Sequence, residues 1–419
     1  MNPAPARRLR VLVSAYACNP YEGSEPQTGW AVANSLSLIG YEVVVLTRTN
    51  NREAIESSIT NDHIPRPYGP PSFVYLDLPQ WVLNIKKRYG LLRLYYYLWQ
   101  IKAAGLVRDL SRGSEFDASL HITLGSCWFP SSLALLPIPF VWGPVGGGET
   151  MPFAFIGSLG LKGIIYEIGR AAAKLRGRLD PLVRITARRS RVALGTTNET
   201  VAQLKKLGCS QAGLLPRMSL SDQAITELRE LPDPPDNPFR LLCIGRLLHW
   251  KGFHLALKAF ASAGIPDSTL WIVGDGPAAT GLKLLTKRLG IEDKTRFLGS
   301  LSRSDTLATL ASVHALVHPS LHDSGSWVAA EAMAARRPVI CLNLGGPGVI
   351  VSDEAGFRVD AGRPGEAVRD LAKAMRELAA DPQKRRTMGL AGQMRIETQF
   401  SWEARGSLIA AALDIATLG

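Results

Sequence analysis

"HALVHPSLHDSGSWVAAEAMAARRPVICLN", residues 314–343, reads as a strand, a polar loop, a helix and a second strand. The apolar run at 314–319 and the β-branched run at 337–343 flank an alanine-rich stretch near 326–335, too long for a hairpin turn. Two strands joined through a helix lie parallel. Ser326 is a good N-cap type, which puts Asp323 in the loop and Glu331 on the second turn of the helix. The amides of Gly325, Ser326, Trp327 and Val328 then point outward where the helix dipole favours an anion. An ionised carboxylate only accepts hydrogen bonds, so two of them here suit a ligand rich in hydroxyl donors. Taken alone, the stretch reads sooner as an N-cap aspartate followed by an exposed helix glutamate.

Moving outward, the same alternation recurs. Strands are expected at 239–245, 268–274 and 295–299, with helices near 253–263, 281–289 and 303–312 between and after them. In the first half, "LRVLVSA" (9–15) and "YEVVVLT" (41–47) enclose a helical run, and further strands are expected at 72–76, 118–122, 140–142 and 192–196. "LPDPPDNPF" (231–239) holds four prolines in nine residues, which excludes a helix or a central strand and marks a boundary. The fold class is therefore α/β, with two doubly wound Rossmann-like domains facing across a cleft. The expected division is 1–216, a linker at 217–238, 239–400, and a last helix at 401–419 that packs back on the first domain.

In open parallel sheets, ligands bind beyond the carboxyl ends of the strands. After the strand at 239–245, "GRLLHWKG" places Gly245 and Arg246 in a turn and Lys251 just before a helix. Two cations and free amides suit a phosphate. After the next strand, "GDGPAATG" begins at Gly274 but misses the G-x-G-x-x-G spacing, so it reads as a tight turn as readily as a phosphate loop. No such fingerprint follows the first strand either. That weighs against the rival reading of a nucleotide-dependent oxidoreductase or epimerase.

The chain has 419 residues, 46% hydrophobic and 20% charged, with a formal net charge of +12. This composition fits two buried cores and excludes a disordered chain. The apolar runs are broken by Pro and Gly before reaching membrane-spanning length, and the first strand does not read as a signal peptide. Five scattered cysteines suggest neither a disulfide framework nor a zinc site, and a cytoplasmic location is expected. Nine Lys and Arg against two acids fall within 162–191. Such a cluster suits an anionic lipid surface, a phosphorylated ligand or a solvated helix face. A basic polyanion-binding protein is the rival reading without catalysis.

"GRLLHWKG", "VGDGP", "HPSLHDSGSWVAAEAMAARRPVI" and "LGG", in this order, resemble the C-terminal domain of the family-4 retaining glycosyltransferases of GT-B fold. The resemblance implies transfer of a sugar from a nucleotide-diphosphate sugar to a hydroxyl of a glycan or lipid-linked acceptor, with retention at the anomeric carbon. It assigns the first domain to the acceptor and the second to the donor. Arg246 and Lys251 would bind the diphosphate, Glu331 the ribose hydroxyls and Asp323 the transferred sugar, with no metal, no other cofactor and no nucleic-acid partner. Asp323 stands where the family has Glu, one methylene longer, and Trp327 stands at a helix mouth that usually carries smaller neighbours.

In the first half, "CNPYEGSEPQTGW" places Gly23, Ser24 and Glu25 ahead of a helix, where the family shapes its acceptor site. "LHITLGSCWFP" puts His121 at a strand end, and "FVWGPVGGGETMP" adds Glu149, resembling a subgroup with His-x-Thr followed by Gly-Pro-Val-Gly-Gly-Gly-Glu. Both are acceptor-side candidates. Residues 81–102 mix aromatics, leucines and cations at helical spacing, as an interfacial helix on lipid or a core helix with basic flanks would.

Overall fold

A computed structural model describes residues 9–23, 25–113 and 115–418. Among the described residues, thirteen strands form two wholly parallel sheets. The first contains β1 (Arg10–Ser14), β2 (Glu42–Thr47), β3 (Ser72–Tyr75), β4 (Ala118–His121), β5 (Phe140–Val145), β6 (Val192–Gly195) and β7 (Ala212–Leu214), in the order β3-β2-β1-β4-β5-β6-β7. The second contains β8 (Phe239–Ile244), β9 (Ser268–Val273), β10 (Thr295–Gly299), β11 (Ala315–His318), β12 (Val339–Leu342) and β13 (Gly356–Val359), in the order β10-β9-β8-β11-β12-β13. Central strands such as "ASLH", "ALVH" and "VICL" are buried along their whole length, as continuous apolar strands covered on both faces should be. β7 and β13, each at a sheet edge, escape the sequence reading.

The chain divides into two compact units otherwise than expected. One comprises Met1–Gly148, Ala172–Arg217 and Trp402–Gly419; the other comprises Glu149–Ala171 and Met218–Ser401. Residues 149–171 join the second unit because Phe155, with no exposed surface, packs into the core that also holds Phe239, Phe253 and Leu371. Burial of one phenylalanine of this kind contributes roughly 1.5–3 kcal/mol. The expected linker also holds structure. Ser221 caps a helix, Asp222–Arg229, by accepting from the amide of Ala224, and Ile225 and Leu228 bury into the second unit. The proline-rich stretch after it lacks regular structure. The last helix, Trp402–Leu418, buries Ile409 and Leu413 against Val32 and Leu36 of the first unit.

The run at 81–102 is two helices, Gln80–Tyr89 and Leu92–Gly113, because Gly90 closes the first in a left-handed conformation (φ 65°). Tyr95, Tyr96 and Trp99 of the second are buried, whereas Trp81, Tyr89 and Leu94 are exposed beside Lys87, Arg88 and Arg93. No helix among the described residues is long and apolar enough to cross a membrane.

Candidate active site

The second sheet reverses direction at β8, with β9 on one side and β11 on the other. Segments leaving the carboxyl ends of β8 and β11 therefore diverge, and the space between them is where open α/β sheets hold ligands. These segments carry Arg246 and Lys251 on one side and Asp323 on the other.

Lys251 ends a short 3-10 turn, His249–Lys251, and is followed by Gly252 at φ 71°. A Cβ on Gly252 would lie 1.9 Å from the carbonyl oxygen of Pro319, so only glycine lets the two segments touch. The amide of Leu321 donates to the carbonyl of Trp250 (2.8 Å) and joins them further. This contact brings Lys251 Nζ to 2.5 Å from Asp323 Oδ2, and His318 Nε2 lies 3.3 Å from the same oxygen. Asp323 Oδ1 accepts from the amides of Gly325 (3.1 Å) and Ser326 (3.3 Å). Burial raises the carboxyl pKa, but the imidazole of His318 and the charge of Lys251 outweigh it and hold Asp323 far below the usual carboxylate range. Gly346 braces the loop from below, its amide donating to the carbonyl of Asp323 at 2.7 Å.

Three expectations are corrected here. The amides of Gly325 and Ser326 do not face outward, because the short side chain of Asp323 turns back on its own loop and uses them. Those of Trp327 and Val328 have no partner among the described residues. Ser326 does not cap the helix Trp327–Ala334. Its backbone is left-handed (φ 53°) and its Oγ is buried against Gly346. Asp323 itself has two oxygens shared among four protein groups, so it orients Lys251 and is poorly placed to accept from a sugar. Trp327 is half-buried and packs with Val328 against the core.

Glu331 lies on the second turn as expected, its Oε1 2.5 Å from Nη1 of Arg303. Arg303 also donates to Glu227 at 3.2 Å. Glu331 Oε2 has no partner among the described residues and remains open to a hydroxyl donor. Arg303 is missed by sequence reasoning, although its place at the first residue of the helix after β10 puts it on the same sheet edge. Arg246 is exposed and has no ion pair among the described residues. Gly245 (φ 142°) and Gly274 (φ 122°) let the turns after β8 and β9 pass closely, since a Cβ on Gly274 would lie 2.1 Å from the carbonyl of Gly245.

The first sheet has its own reversal at β1 and β4. Gly23 is exposed after β1, and Glu25 opens the next helix, 3.3 Å from Arg217. Ser24 lies outside the described residues. His121 ends β4, but it is 2% exposed, its Nε2 3.1 Å from the hydroxyl of Tyr96. Burial, helped by the charge of Arg217, pushes its pKa down to about 3, which keeps it neutral. Tyr96, held in turn by Gln100, covers it, so the imidazole of this acceptor-side candidate does not face outward. Glu149 is buried and belongs to the second unit rather than the first, its carbonyl accepting from Arg170 at 2.6 Å. Among the described residues no group of three or more His, Cys, Asp or Glu is placed to hold a metal ion.

Residues 224–395 match the family model described as "Glycosyl transferases group 1". The chain is 32% identical over 176 residues to the lipopolysaccharide core biosynthesis glycosyltransferase LpsE of Rhizobium meliloti, a match covering 42% of this chain and 49% of that one. It is also 32% identical over 173 residues to a glycogen synthase of Mycobacterium tuberculosis, covering 41% of each. The chain thus spans less than half the length of these curated relatives. Among solved structures, it resembles the Anabaena HepE protein in complex with UDP, with TM-score 0.59 and 17% identity over 97% of this chain and 99% of that one. That likeness and the two reversing parallel sheets give the GT-B fold. Over residues 224–395, within its second unit, the chain is thus similar to the glycosyl transferases group 1 family.

Proposed function

We propose that the protein is a retaining glycosyltransferase that moves a sugar from a nucleotide-diphosphate sugar to a hydroxyl on a glycan or lipid-linked acceptor. The observation that carries this reading is the Lys251–Asp323 pair at the sheet reversal, with Arg246, the amides of Trp327 and Val328, and Glu331 on the same edge. The carboxylate of Asp323 holds Lys251 in place. Lys251, Arg246 and the two amides then meet the negative charge that develops on the leaving diphosphate, which is electrostatic stabilisation by groups already in place. These cations would do the work without a metal. Glu331, steadied by Arg303, accepts from the ribose hydroxyls through Oε2. A front-face displacement, in which the leaving phosphate takes the acceptor proton, needs no dedicated protein base. On the acceptor side we assign the loop carrying Gly23 and Glu25, whereas His121 acts only by shaping the floor beneath it.

We assign the acceptor to the cytoplasmic face of a membrane. Exposed Trp81, Tyr89 and Leu94 beside Lys87, Arg88 and Arg93 support this, as do exposed Leu161, Ile165 and Ile168 on the helix Gly160–Leu179, which sits in the basic stretch. Vesicle flotation checks it: the protein floats with phosphatidylglycerol vesicles, and Lys87→Gln, Arg88→Gln and Arg93→Gln together weaken binding at least about tenfold, each cation being worth about 1 kcal/mol near an anionic surface. Equal binding by the triple variant and the wild type refutes the surface.

The activity is tested by thermal shift with UDP, GDP, ADP and their sugars, then by donor hydrolysis in EDTA. One nucleotide should stabilise the protein above the others, and Lys251→Ala and Glu331→Ala should each lower turnover. Undiminished turnover in both variants overturns the assignment.

A further inference from the structure

A third segment reaches the two that carry Lys251 and Asp323. The helix Gly160–Leu179 approaches His249 so closely that a Cβ on Gly163 would lie 3.1 Å from its ring. Tyr166 stacks on Trp250, centroids 4.6 Å apart and planes 14° apart. On its own segment's other neighbour, Trp250 stacks on His322 at 5.3 Å and 16°. Glu167 Oε1 lies 3.0 Å from His322 Nε2 and 3.7 Å from His249 Nε2, while Oε2 lies 3.5 Å from Arg170. Arg170 fixes the helix in turn through the carbonyl of Glu149. All of these residues belong to the second unit.

The connectivity gives these contacts their meaning. Trp250 precedes Lys251, and His322 precedes Asp323. A ring held by its neighbours restrains the backbone that carries it, and with it the residue that follows. The carboxylate of Glu167 is almost buried (11% exposed), yet it pairs with neither Lys251 nor any group that would meet the donor.

We propose that Tyr166 and Glu167 are positioning residues of the donor site, clamping the two segments so that Lys251 and Asp323 stay in register. The role rests on the donor reading given above. It means that residues 149–171, which lie outside the segment matching the family, complete the site from far away in sequence. The clamp has two parts, a stack that fixes the plane of Trp250 and an ion pair that fixes the direction of His322.

The test compares wild type with Glu167→Gln and Tyr166→Leu. Calorimetric titration uses UDP, GDP or ADP, whichever the wild type binds, well below the melting temperature of each protein. Displacing Lys251 by a fraction of an ångström should raise the nucleotide Kd and the donor KM about tenfold in Glu167→Gln, with the acceptor KM unchanged and Glu167→Asp partly restoring affinity. Variants that match the wild-type Kd, or that lose donor and acceptor parameters alike in step with folded fraction, overturn the positioning role alone. A wild type that binds no nucleoside diphosphate overturns the donor reading itself, and this role with it.

Discussion

Replacing Asp323 by alanine strands four groups at once: Nζ of Lys251, Nε2 of His318 and the amides of Gly325 and Ser326. Removing one partner of a buried ion pair costs roughly 3–5 kcal/mol. The side chains of Asp323 and Lys251 keep 14% and 22% of their surface, which admits some water. The lower end, about 3 kcal/mol, is therefore expected. For a unit of 150–250 residues, each kcal/mol lowers Tm by about 2–4 °C, so Asp323→Ala should melt about 6–12 °C early. Asp323→Asn keeps an oxygen for the two amides but loses the charge, and should fall about halfway between. The pH dependence follows from the depressed pKa of Asp323. A carboxylate whose folded pKa lies below its unfolded value stabilises fully above that unfolded value, about 3.9, and loses the contribution only as pH falls through the folded one. The deficit of the alanine variant should thus be no smaller at pH 5 than at pH 7. Calorimetric melts at both values decide it. A loss under about 2 °C at pH 7, or one that vanishes at pH 5, refutes the account of the pair.

Two further outcomes are expected. Gly252→Ala places a Cβ against Pro319 at a positive φ, and should cost about 2–3 kcal/mol by urea unfolding while weakening nucleotide binding through Lys251; a variant as stable and as tight as wild type refutes the close approach. His121 should stay neutral in NMR titration from pH 8 to about 4. Because the unfolded chain protonates it near 6.5 and the folded chain only near 3, stability should fall by about 2 kcal/mol between pH 7 and pH 5. His121→Asn should flatten that slope, and an unchanged slope counts against the burial described.

Central strands were legible because their apolar runs are unbroken, as in "VICL" and "ALVH". The edge strands β7 and β13 were not. β7 is three residues, "AGL", with a glycine in the middle, and β13 begins with one. The helix Asp222–Arg229 was hidden by the prolines that follow it, although Ser221 signals its start. At the site, the positions of Lys251, Asp323 and Glu331 followed from the rule that strand ends hold ligands. Their partners did not follow. Lys251 and Asp323 are 72 residues apart, Arg303 and Glu331 are 28 apart, and Glu167 and His322 are 155 apart. A pattern read within one window cannot show that a carboxylate will be consumed by a lysine from another. The length of the aspartate was the one local clue. One methylene less than glutamate keeps its oxygens within reach of its own loop amides.

The chain passes between the two units four times, at 148/149, 171/172, 217/218 and 401/402. A single splice at the proline-rich stretch would divide the second unit. A chimaera cut there would inherit a foreign Phe155 under its donor core and a foreign residue where Glu167 meets His322. The unit of inheritance is a mosaic of two separate stretches, and a graft of the second unit must carry 149–171 together with 218–401 to keep its own register.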